Sequence, residues 1–187
     1  TYDSLCRQTC GDFEWLVIDD GSSDGTREWV ESLGDKVQQE GQQFDWMGRV
    51  LDGADENHFV IRTPKFKLEY VYKPNGGLYT GYNVAYATIQ TELCVCIDSD
   101  DYMPDDAVEK IVDYWRQNGS LQYAGILGLD YNIATKELIG GKFPEGLKEV
   151  YFYDLTLKNL HAGDTKPVMR TDLMKQVAPQ VGFPEEK

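Results

Sequence analysis

The stretch "FEWLVIDDGSSDGTREWVESL", residues 13–33, decides the fold that the sequence predicts. Residues 13–19 are rich in β-forming side chains and end at a pair of aspartates, which indicates a strand. A glycine- and serine-rich loop follows, and residues 26–33 have the pattern of a helix with Asp24 as a candidate N-cap. A strand that passes through a polar loop into a helix is typical of α/β proteins.

Two further units of the same kind follow. Residues 67–73, "KLEYVYK", predict a strand that leads through a glycine-rich turn into a helix over 82–90. Residues 92–98, "ELCVCID", predict a buried strand, and an amphipathic helix is expected over 105–117. This alternation predicts a parallel α/β sheet.

The remaining segments give weaker patterns. Residues 34–65 are polar with scattered glycines, and they predict a loop with one short helix around 45–52. Strands are predicted over 123–132 and 166–170, and a helix opens at Thr171 or Asp172. No repeat or linker divides the chain, so we expect a single domain over 1–187.

Composition narrows the classes of partner. The 187 residues are 41% hydrophobic, as in ordinary globular proteins, and carry a formal net charge of −14. Such an acidic chain is not expected to bind nucleic acid or an anionic membrane as its main partner, and a phosphorylated ligand would need a local cation. The four cysteines lack the spacing of a zinc site and are expected to be reduced, buried thiols: Cys6, Cys10, Cys94 and Cys96.

Polar residues mark all three predicted strand ends. These ends are Asp19-Asp20, Lys73–Gly77 and Asp98–Asp101. In open α/β sheets, ligands bind beyond the carboxyl ends of the strands. Carboxylates that cluster there repel one another unless a cation joins them, and Mg²⁺ or Mn²⁺ would leave coordination positions for phosphate oxygens. The alternative reading of 98–106 is a solvated acidic start to the following helix.

Residues 20–31, "DGSSDGTREWVE", also come close to a calcium-binding EF-hand loop. Asp20, Ser22 and Asp24 stand at the first ligand positions, and Glu31 stands at the closing one. The strand-like context and Arg27 at the buried hydrophobic position argue against it. A capped, solvated strand-to-helix turn remains an alternative on local grounds.

Three ordered segments carry a resemblance to a known family. "FEWLVIDDGSSDGT", "KPNGGLYTGYNVAYA" and "LCVCIDSDDYMPDDAVEKI" resemble, in order and spacing, the family 2 glycosyltransferases of the GT-A fold. Later segments, among them "GDTKPVMRTDLMKQVAP", look similar to bacterial members that build surface or capsular polysaccharide. The resemblance implies a Rossmann-like α/β fold whose mostly parallel central sheet is flanked by helices. It also implies that the first strand is missing before Thr1, and it leaves 34–65 as a variable insertion.

The resemblance assigns roles to individual residues. Asp20 is similar to the aspartate that reads the nucleotide base, Asp98 would contact the ribose or phosphate side, and Asn83 would help to shape the donor-sugar pocket. Asp100 would hold Mn²⁺ or Mg²⁺ on the diphosphate, with Asp101 as a helper. The implied nucleotide-sugar-binding set is Asp19, Asp20, Lys73, Gly76, Gly77, Asn83, Asp98 and Ser99. The candidate catalytic base is Glu186, with Glu185 beside it.

The implied activity is inverting, metal-dependent transfer of a sugar from a nucleotide-diphosphate sugar, with UDP favoured, to a hydroxyl acceptor. The acceptor would be a glycan or lipid-linked glycan. The expected location is the cytoplasm, and peripheral association with the inner face of the membrane stays open.

Two departures from the family pattern bear on these expectations. Tyr82 stands where many members have an arginine, and the domain is expected to be truncated at both ends, which leaves the chain's own catalytic competence open. The rival hypothesis is a non-catalytic sugar-nucleotide-binding or structural α/β domain. A nucleotidyltransferase is disfavoured because the first strand lacks a glycine-rich basic loop.

Overall fold

The computed structural model describes residues 1–161 and 163–180. Within these ranges, helices and strands alternate over residues 2–31 and again from residue 78 onward, and five consecutive strands lie between. The helices are α1 (Tyr2–Cys6), α2 (Thr26–Glu31), α3 (Leu78–Thr88), α4 (Ala107–Asn118), α5 (Phe152–Leu157) and α6 (Thr171–Val177). The strands are β1 (Glu14–Asp19), β2 (Asp35–Gln38), β3 (Gly41–Phe44), β4 (Val50–Asp55), β5 (His58–Arg62), β6 (Lys67–Tyr72), β7 (Leu93–Val95), β8 (Gly125–Leu129) and β9 (Thr165–Arg170).

The largest sheet has the strand order β1-β6-β5-β2. Strands β1 and β6 are parallel, in a register that runs from Glu14 opposite Lys67 to Asp19 opposite Tyr72. Because the two strands run in the same direction and in this register, their carboxyl ends lie side by side. The loop after β1 and the glycine-rich turn after β6 therefore leave the sheet at the same edge.

Alternation along β1 divides its side chains between two core clusters. Trp15 and Val17 pack against the larger cluster, while Leu16 and Ile18 pack against the smaller one. The buried members of the larger cluster are Leu5, Val30, Phe59, Ile61, Phe66, Leu68, Tyr70 and Met103, and those of the smaller are Phe44, Val71 and Val84. Helices α1 and α2 thus cover one face of the sheet, and α3 and β3 cover the other.

The prediction of a loop and a short helix over residues 34–65 is wrong. These residues form β2, β3, β4 and β5, in which β3 pairs with β4 and β2 pairs with β5. Two register irregularities, between Lys36 and Gln38 and between Gln42 and Gln43, interrupt the strands. Because a bulge shifts the alternation of side chains, and because β4 is largely exposed, the segment lacks the period-two pattern that identifies a strand.

The expected mostly parallel sheet is also corrected, although the α/β class holds. Strand β9 lies between β7 and β8 and is antiparallel to both. Among the described strands the pair β1–β6 is parallel, and the other five pairs are antiparallel. The reason is that β1 and β6 are connected through the strands of 34–65, so that β5 returns antiparallel to β6. The strand expected before Thr1 stays a prediction.

Element boundaries differ from the sequence patterns at two places near the strand ends. Helix α3 begins at Leu78, four residues before the predicted start at 82, and Gly77 precedes it with a φ of 87°. Strand β7 covers only Leu93–Val95 of the predicted 92–98. The aspartates that follow β7 therefore lie on a longer loop than the apolar run suggests.

Candidate functional site

The two aspartates at the end of β1 point to opposite faces of the sheet. Asp19 is buried, with 4% of its surface exposed, and it faces the larger core cluster. Its Oδ1 accepts the amide of Ser22 at 2.7 Å, and its Oδ2 accepts the hydroxyl of Tyr70 at 2.5 Å. Burial and this hydrogen bond both raise the pKa of Tyr70. Asp19 therefore holds the loop after β1 in place, and its oxygens are already engaged.

Asp20 joins the end of β1 to the glycine-rich turn after β6. Its Oδ1 accepts from the ammonium of Lys73 and from the amide of Gly76 at 3.0 Å, and its Oδ2 accepts from the amide of Gly77 at 2.8 Å. Asn75 donates to the backbone carbonyl of Asp20 at 2.9 Å. A carboxylate has about four acceptor positions, so one position on Oδ2 is left. The structure thus brings together four of the residues that the sequence assigned to one site.

Lys73 is a buried cation that pairs with Asp20. Its side chain is fully buried, while 27% of the side chain of Asp20 is exposed. Lys73 also donates to the carbonyl of Pro74 at 2.9 Å. The ion pair lies at the edge formed by the ends of β1 and β6. Lys73 is its buried member, and Asp20 is the member that faces solvent.

Close contact with another segment requires a glycine at position 76 of the turn. A Cβ at Gly76 would lie 2.0 Å from the carbonyl oxygen of Trp46, in the turn between β3 and β4. Gly48, in the same β3–β4 turn, would place a Cβ 2.3 Å from the carbonyl oxygen of Thr80. Two backbone segments therefore pack directly against each other, and the residues of 34–65 support the site from behind. This contact cannot be predicted from sequence patterns, because it lies between segments far apart in the chain.

Asn83, for which the resemblance implies a place in the donor-sugar pocket, makes its described hydrogen bonds within the protein. It is 4% exposed, and its Nδ2 donates to the carbonyls of Met47 at 2.9 Å and of Gln180 at 3.0 Å. Its Oδ1 accepts the amide of Gln180 at 2.6 Å. Three of the four hydrogen-bonding positions of the amide group are occupied within the protein. The side chain connects α3 to the β3–β4 turn and to the segment after α6.

The acidic loop after β7 is exposed. Asp98, Ser99 and Asp100 are exposed, as is Asp101, whose Oδ2 lies 3.5 Å from the ammonium of Lys166. The carbonyl oxygens of Asp98, Ser99 and Asp101 all lie within 3.1 Å of the hydroxyl of Thr1, whose single hydrogen they can accept, so the loop turns tightly around this side chain. Within the described ranges, the carboxylate of Asp100 makes neither a hydrogen bond nor an ion pair.

Asp130, which the sequence analysis did not single out, belongs to the surroundings of this loop. Burial raises its pKa, Lys166 lowers it, and the negative charges of Asp101, Asp164 and Asp98 raise it further. Asp130 follows β8 and Lys166 lies in β9, so the three-stranded sheet adds its own charged residues to the acidic loop. The sequence gives no signal that singles out Asp130, because single acidic residues after a strand are common in an acidic chain.

The chemistry of the acidic loop fits a hard divalent cation. Residues 1–161 and 163–180 contain no cluster of three or more His, Cys, Asp or Glu side chains arranged to hold a metal ion. Mg²⁺ is commonly bound through one or two carboxylates, with substrate phosphates and waters completing its coordination. Exposed carboxylates at Asp98, Asp100 and Asp101 match that pattern, in which the protein alone does not form a complete cage.

Tyr82 lies beside the acidic loop, at the position where many members of the family have an arginine. Burial, a hydrogen bond with the thiol of Cys96 and nearby negative charges that include Asp98 raise the pKa of Tyr82 to about 12. Its ring stacks on Tyr86, with 5.9 Å between the centroids. The raised pKa keeps the hydroxyl of Tyr82 neutral. The expectation that the cysteines are buried is wrong, because Cys96 is exposed and the other three are partly exposed.

The calcium-loop alternative does not fit the geometry. The loop follows a strand, Asp20 points to the glycine-rich turn, and Glu31 pairs with Arg27 and Lys36. Asp24 accepts the amide of Thr26 at 3.1 Å and its hydroxyl at 2.6 Å. These carboxylates therefore do not converge on a common centre. Asp24 contacts the start of α2, although Gly25 is the residue at the N-cap.

A cavity of about 350 Å³ lies beside the end of β1, on the side covered by α2. Asp19, Arg27, Asn57 and Tyr72 are among the residues that line it. This volume is within the range of small-molecule pockets.

The candidate base residues Glu185 and Glu186 lie outside the described residues.

Comparison with known protein families identifies the class of protein to which the chain belongs. The family model described as "Glycosyl transferase family 2" matches residues 1–47 and 50–154, which is most of the chain. The chain therefore belongs to glycosyl transferase family 2. Comparison with curated proteins and with solved structures gave no significant match. In the described part of the chain, no helix has the length and apolar character that a membrane span requires.

Proposed function

We propose that the protein is an inverting, metal-dependent glycosyltransferase that uses a nucleotide-diphosphate sugar, with UDP as the favoured nucleotide. The acceptor is a hydroxyl of a glycan or lipid-linked glycan in the assembly of bacterial surface polysaccharide. The proposed place of action is the cytoplasm. Family membership supports the class of reaction. The substrates, the metal dependence and the location are part of the proposal.

The observation that carries the proposal is the joining of two strand ends by one carboxylate. Asp20 accepts from Lys73 and from the amides of Gly76 and Gly77, which creates a polar edge beyond β1 and β6. The acceptor position that is left on Asp20 suits a single N–H donor on a nucleobase. Asp20 would therefore serve as a hydrogen-bond acceptor from the base.

The acidic loop after β7 would hold the diphosphate end of the donor. Asp100 would bind the divalent cation, Mn²⁺ or Mg²⁺, with Asp101 beside it, while Asp98 and Ser99 would contact the ribose or phosphate side. When bound, the cation supplies positive charge that stabilises the leaving diphosphate. The ammonium of Lys166 lies 3.5 Å from Oδ2 of Asp101 and places a positive charge beside this loop.

The reaction then needs a base on the acceptor side. Glu186, with Glu185 as its neighbour, would remove the proton of the acceptor hydroxyl. The acceptor oxygen would bond to the anomeric carbon as the bond from that carbon to the diphosphate oxygen breaks. In-line attack inverts the configuration and releases the nucleoside diphosphate.

A screen of sugar nucleotides with the full-length protein tests the proposal. Release of nucleoside diphosphate is measured with and without Mn²⁺, in the presence of glycan acceptors. We expect release with one class of donor only when the divalent ion is present. A protein that binds the nucleotide but transfers no sugar would instead support the non-catalytic binding domain, and a protein that binds no sugar nucleotide would contradict the proposal outright.

A further inference from the structure

A buried histidine connects the β3–β4 hairpin to the four-stranded sheet. Strands β3 and β4 pair only with each other, and in the described ranges no backbone ladder joins them to the sheet that contains β5. His58, the first residue of β5, lies between the two sheets with 5% of its surface exposed. Its Nδ1 lies 2.9 Å from the carbonyl oxygen of Gln42 in β3, and its Nε2 lies 2.8 Å from Oε1 of Glu69 in β6. One imidazole ring therefore contacts both sheets.

Strand β3 is shaped to receive this ring. A Cβ at Gly41 would lie 2.4 Å from Cγ of His58, so the ring packs directly against the backbone of the strand. The pairing of β3 with β4 shifts between Gln42 and Gln43, and such a bulge disturbs the ladder at the carbonyl that meets the ring. Phe44, two residues further along β3, is buried in the smaller core cluster. The contact with His58 thus lies where β3 leaves its regular pairing.

The number of protons on the ring decides whether both contacts can exist. A backbone carbonyl and a carboxylate are both acceptors, so both ring nitrogens must carry a hydrogen, as they do in the charged ring. The ammonium of Lys67 lies 3.5 Å from Oε2 of Glu69 and favours the ionised carboxylate. When the ring loses one proton, the remaining N–H stays with Glu69, because hydrogen bonds to charged acceptors are the stronger ones. A lone pair of Nδ1 then faces the carbonyl oxygen of Gln42, and this contact is lost.

The charged groups around His58 favour the doubly protonated ring. Glu69 faces it from β6 and Asp55 from β4, while β3 presents the carbonyl of Gln42. Burial lowers the pKa of His58, but the hydrogen bonds to Glu69 and Gln42 and the charges of Glu69 and Asp55 raise it by more. The contact with β3 is therefore complete below the ordinary value of about 6.5 and is lost as pH rises through the higher folded-state value.

The hairpin also supports the candidate site. The turn between β3 and β4 meets the glycine-rich turn so closely that a Cβ at Gly76 would lie 2.0 Å from the carbonyl oxygen of Trp46. A Cβ at Gly48 would lie 2.3 Å from the carbonyl oxygen of Thr80. The amide of Gly76 donates to Asp20. Because β3 runs from the histidine contact to this turn, a displacement of β3 reaches the backbone that binds Asp20.

We infer that His58 is a pH-sensitive link that docks the β3–β4 hairpin on the four-stranded sheet. With both ring nitrogens protonated, the ring binds Gln42 and Glu69 together. With one proton lost, β3 separates from the ring, and the turn at the end of β3 supports Gly76 less tightly. The movement of the hairpin does not depend on the proposed function, and only its effect on nucleotide binding rests on that function.

Hydrogen exchange on the ligand-free, full-length protein tests the inference directly. Protonation of the His58 ring is followed by NMR from about pH 5.5 to about pH 8.5, and amide exchange is corrected for its intrinsic dependence on pH. Protection of the amides of β3, of β4 and of Gly76 should fall roughly tenfold as the ring loses its proton, while that of β6 should stay within about twofold. Protection of β3 that is constant across this range, or that falls equally in β6, overturns the inference.

Three variants identify the group responsible. His58→Gln cannot titrate and should remove the pH dependence of protection in β3, whereas His161→Gln replaces the other histidine of the chain and should retain it. Glu69→Gln removes the negative charge beside the ring and should lower the pH at which protection is lost. Glu69→Gln also decides the question if His58→Gln fails to fold. Retained pH dependence in His58→Gln, or an unmoved transition in Glu69→Gln, overturns the inference.

Calorimetric titration of UDP in the presence of Mn²⁺ tests the effect on the site. The wild type should bind UDP about three- to tenfold more weakly at about pH 8 than at about pH 6, relative to the change that His58→Gln shows over the same interval. The comparison with the variant removes the titration of UDP itself. An equal change in both proteins would contradict the coupling of the hairpin to the site. A protein that binds no UDP at either pH would count against the proposed function, and hydrogen exchange would still decide the role of His58.

Discussion

The carboxylate of Asp20 and the backbone amide of Gly77, 57 residues apart in the chain, meet in a hydrogen bond of 2.8 Å. With the buried ammonium of Lys73 on the same carboxylate, this contact joins the ends of two parallel strands. The candidate site is therefore one connected unit, in which a loop, a strand end and a glycine-rich turn depend on one charge pair. Substitutions in this unit should therefore change the stability of the fold as well as the activity of the protein.

Asp20→Ala should lower the free energy of unfolding by about 3 kcal/mol, because it leaves the fully buried Lys73 without its carboxylate partner. Urea denaturation monitored by tryptophan fluorescence measures the change. The matched control is Asp12→Ala, which breaks an exposed ion pair with Arg116 and should cost less than about 0.5 kcal/mol. Equal losses in the two variants would mean that the Asp20–Lys73 pair does not stabilise the fold.

Gly76→Ala should disrupt the glycine-rich turn. The added methyl group would lie 2.0 Å from the carbonyl oxygen of Trp46, and backbone cannot move aside as a flexible side chain can. We expect a loss of about 1–3 kcal/mol in unfolding free energy, together with weaker nucleotide binding.

The control for Gly76→Ala lies five residues further along the chain. At Gly81 the added Cβ would meet only Ile18, at 3.8 Å, and the position is inside α3. Gly81→Ala should therefore raise stability by up to about 1 kcal/mol, since alanine favours a helix over glycine. Thermal denaturation of both variants checks the pair, and a stabilised Gly76→Ala would contradict the close packing of the two turns.

The pair His58 and Glu69 should give stability a characteristic dependence on pH. The Nδ1 of His58 lies 2.9 Å from the carbonyl of Gln42, and its Nε2 lies 2.8 Å from Glu69. Both partners are acceptors, so the charged ring satisfies both contacts. Burial lowers the pKa of His58, but the hydrogen bonds to Glu69 and Gln42 and the charges of Glu69 and Asp55 raise it by more.

The sign of the effect follows from these pKa shifts. Because the pKa of His58 is raised in the folded state, its stabilisation is fully present below the unfolded value of about 6.5 and is lost as pH rises through the folded value. The pKa of Glu69 is lowered, since the hydrogen bond from His58 and the charge of Lys67 outweigh burial, so its contribution is lost as the solution becomes more acidic than its unfolded value. For the wild type, the free energy of unfolding should be highest between the unfolded pKa values of Glu69 and His58, and it should fall as the pH rises above or drops below this range. The fall should be less steep for His58→Gln. Parallel pH profiles for the two proteins would show that the pair is uncoupled.

The sequence predicts that the polar residues after β1 and after β6 lie side by side, because strand ends follow from periodicity and from the polar residues that end each run, whereas β7 belongs to a separate sheet with β8 and β9. The meeting of Asp20 with Gly76 and Gly77 is a consequence of the parallel pairing of β1 and β6. The opposite directions of Asp19 and Asp20 also follow from strand alternation. These relationships are local or need only one strand pairing.

The features that the sequence could not reveal depend on contacts between distant segments. The strands of 34–65 carry bulges and exposed faces, so their pattern is weak, and the support that Trp46 gives to Gly76 is visible only in three dimensions. The same holds for Asn83, whose partner Gln180 is almost a hundred residues away. A family role had suggested a contact with the donor for Asn83, whereas its buried amide group is used within the protein.

The central claim is that the acidic loop after β7 and the Asp20 edge form one site for a nucleotide diphosphate with its metal ion. Calorimetric titration of UDP, with and without Mn²⁺, tests it most directly when Asp100→Asn is compared with Asp113→Asn. Asp113 is an exposed acid on α4 and gives a substitution of the same chemistry away from the loop. We expect Mn²⁺ to strengthen UDP binding by the wild type and by Asp113→Asn, and to have no such effect on Asp100→Asn. Metal-dependent binding that is unchanged in Asp100→Asn would contradict the account.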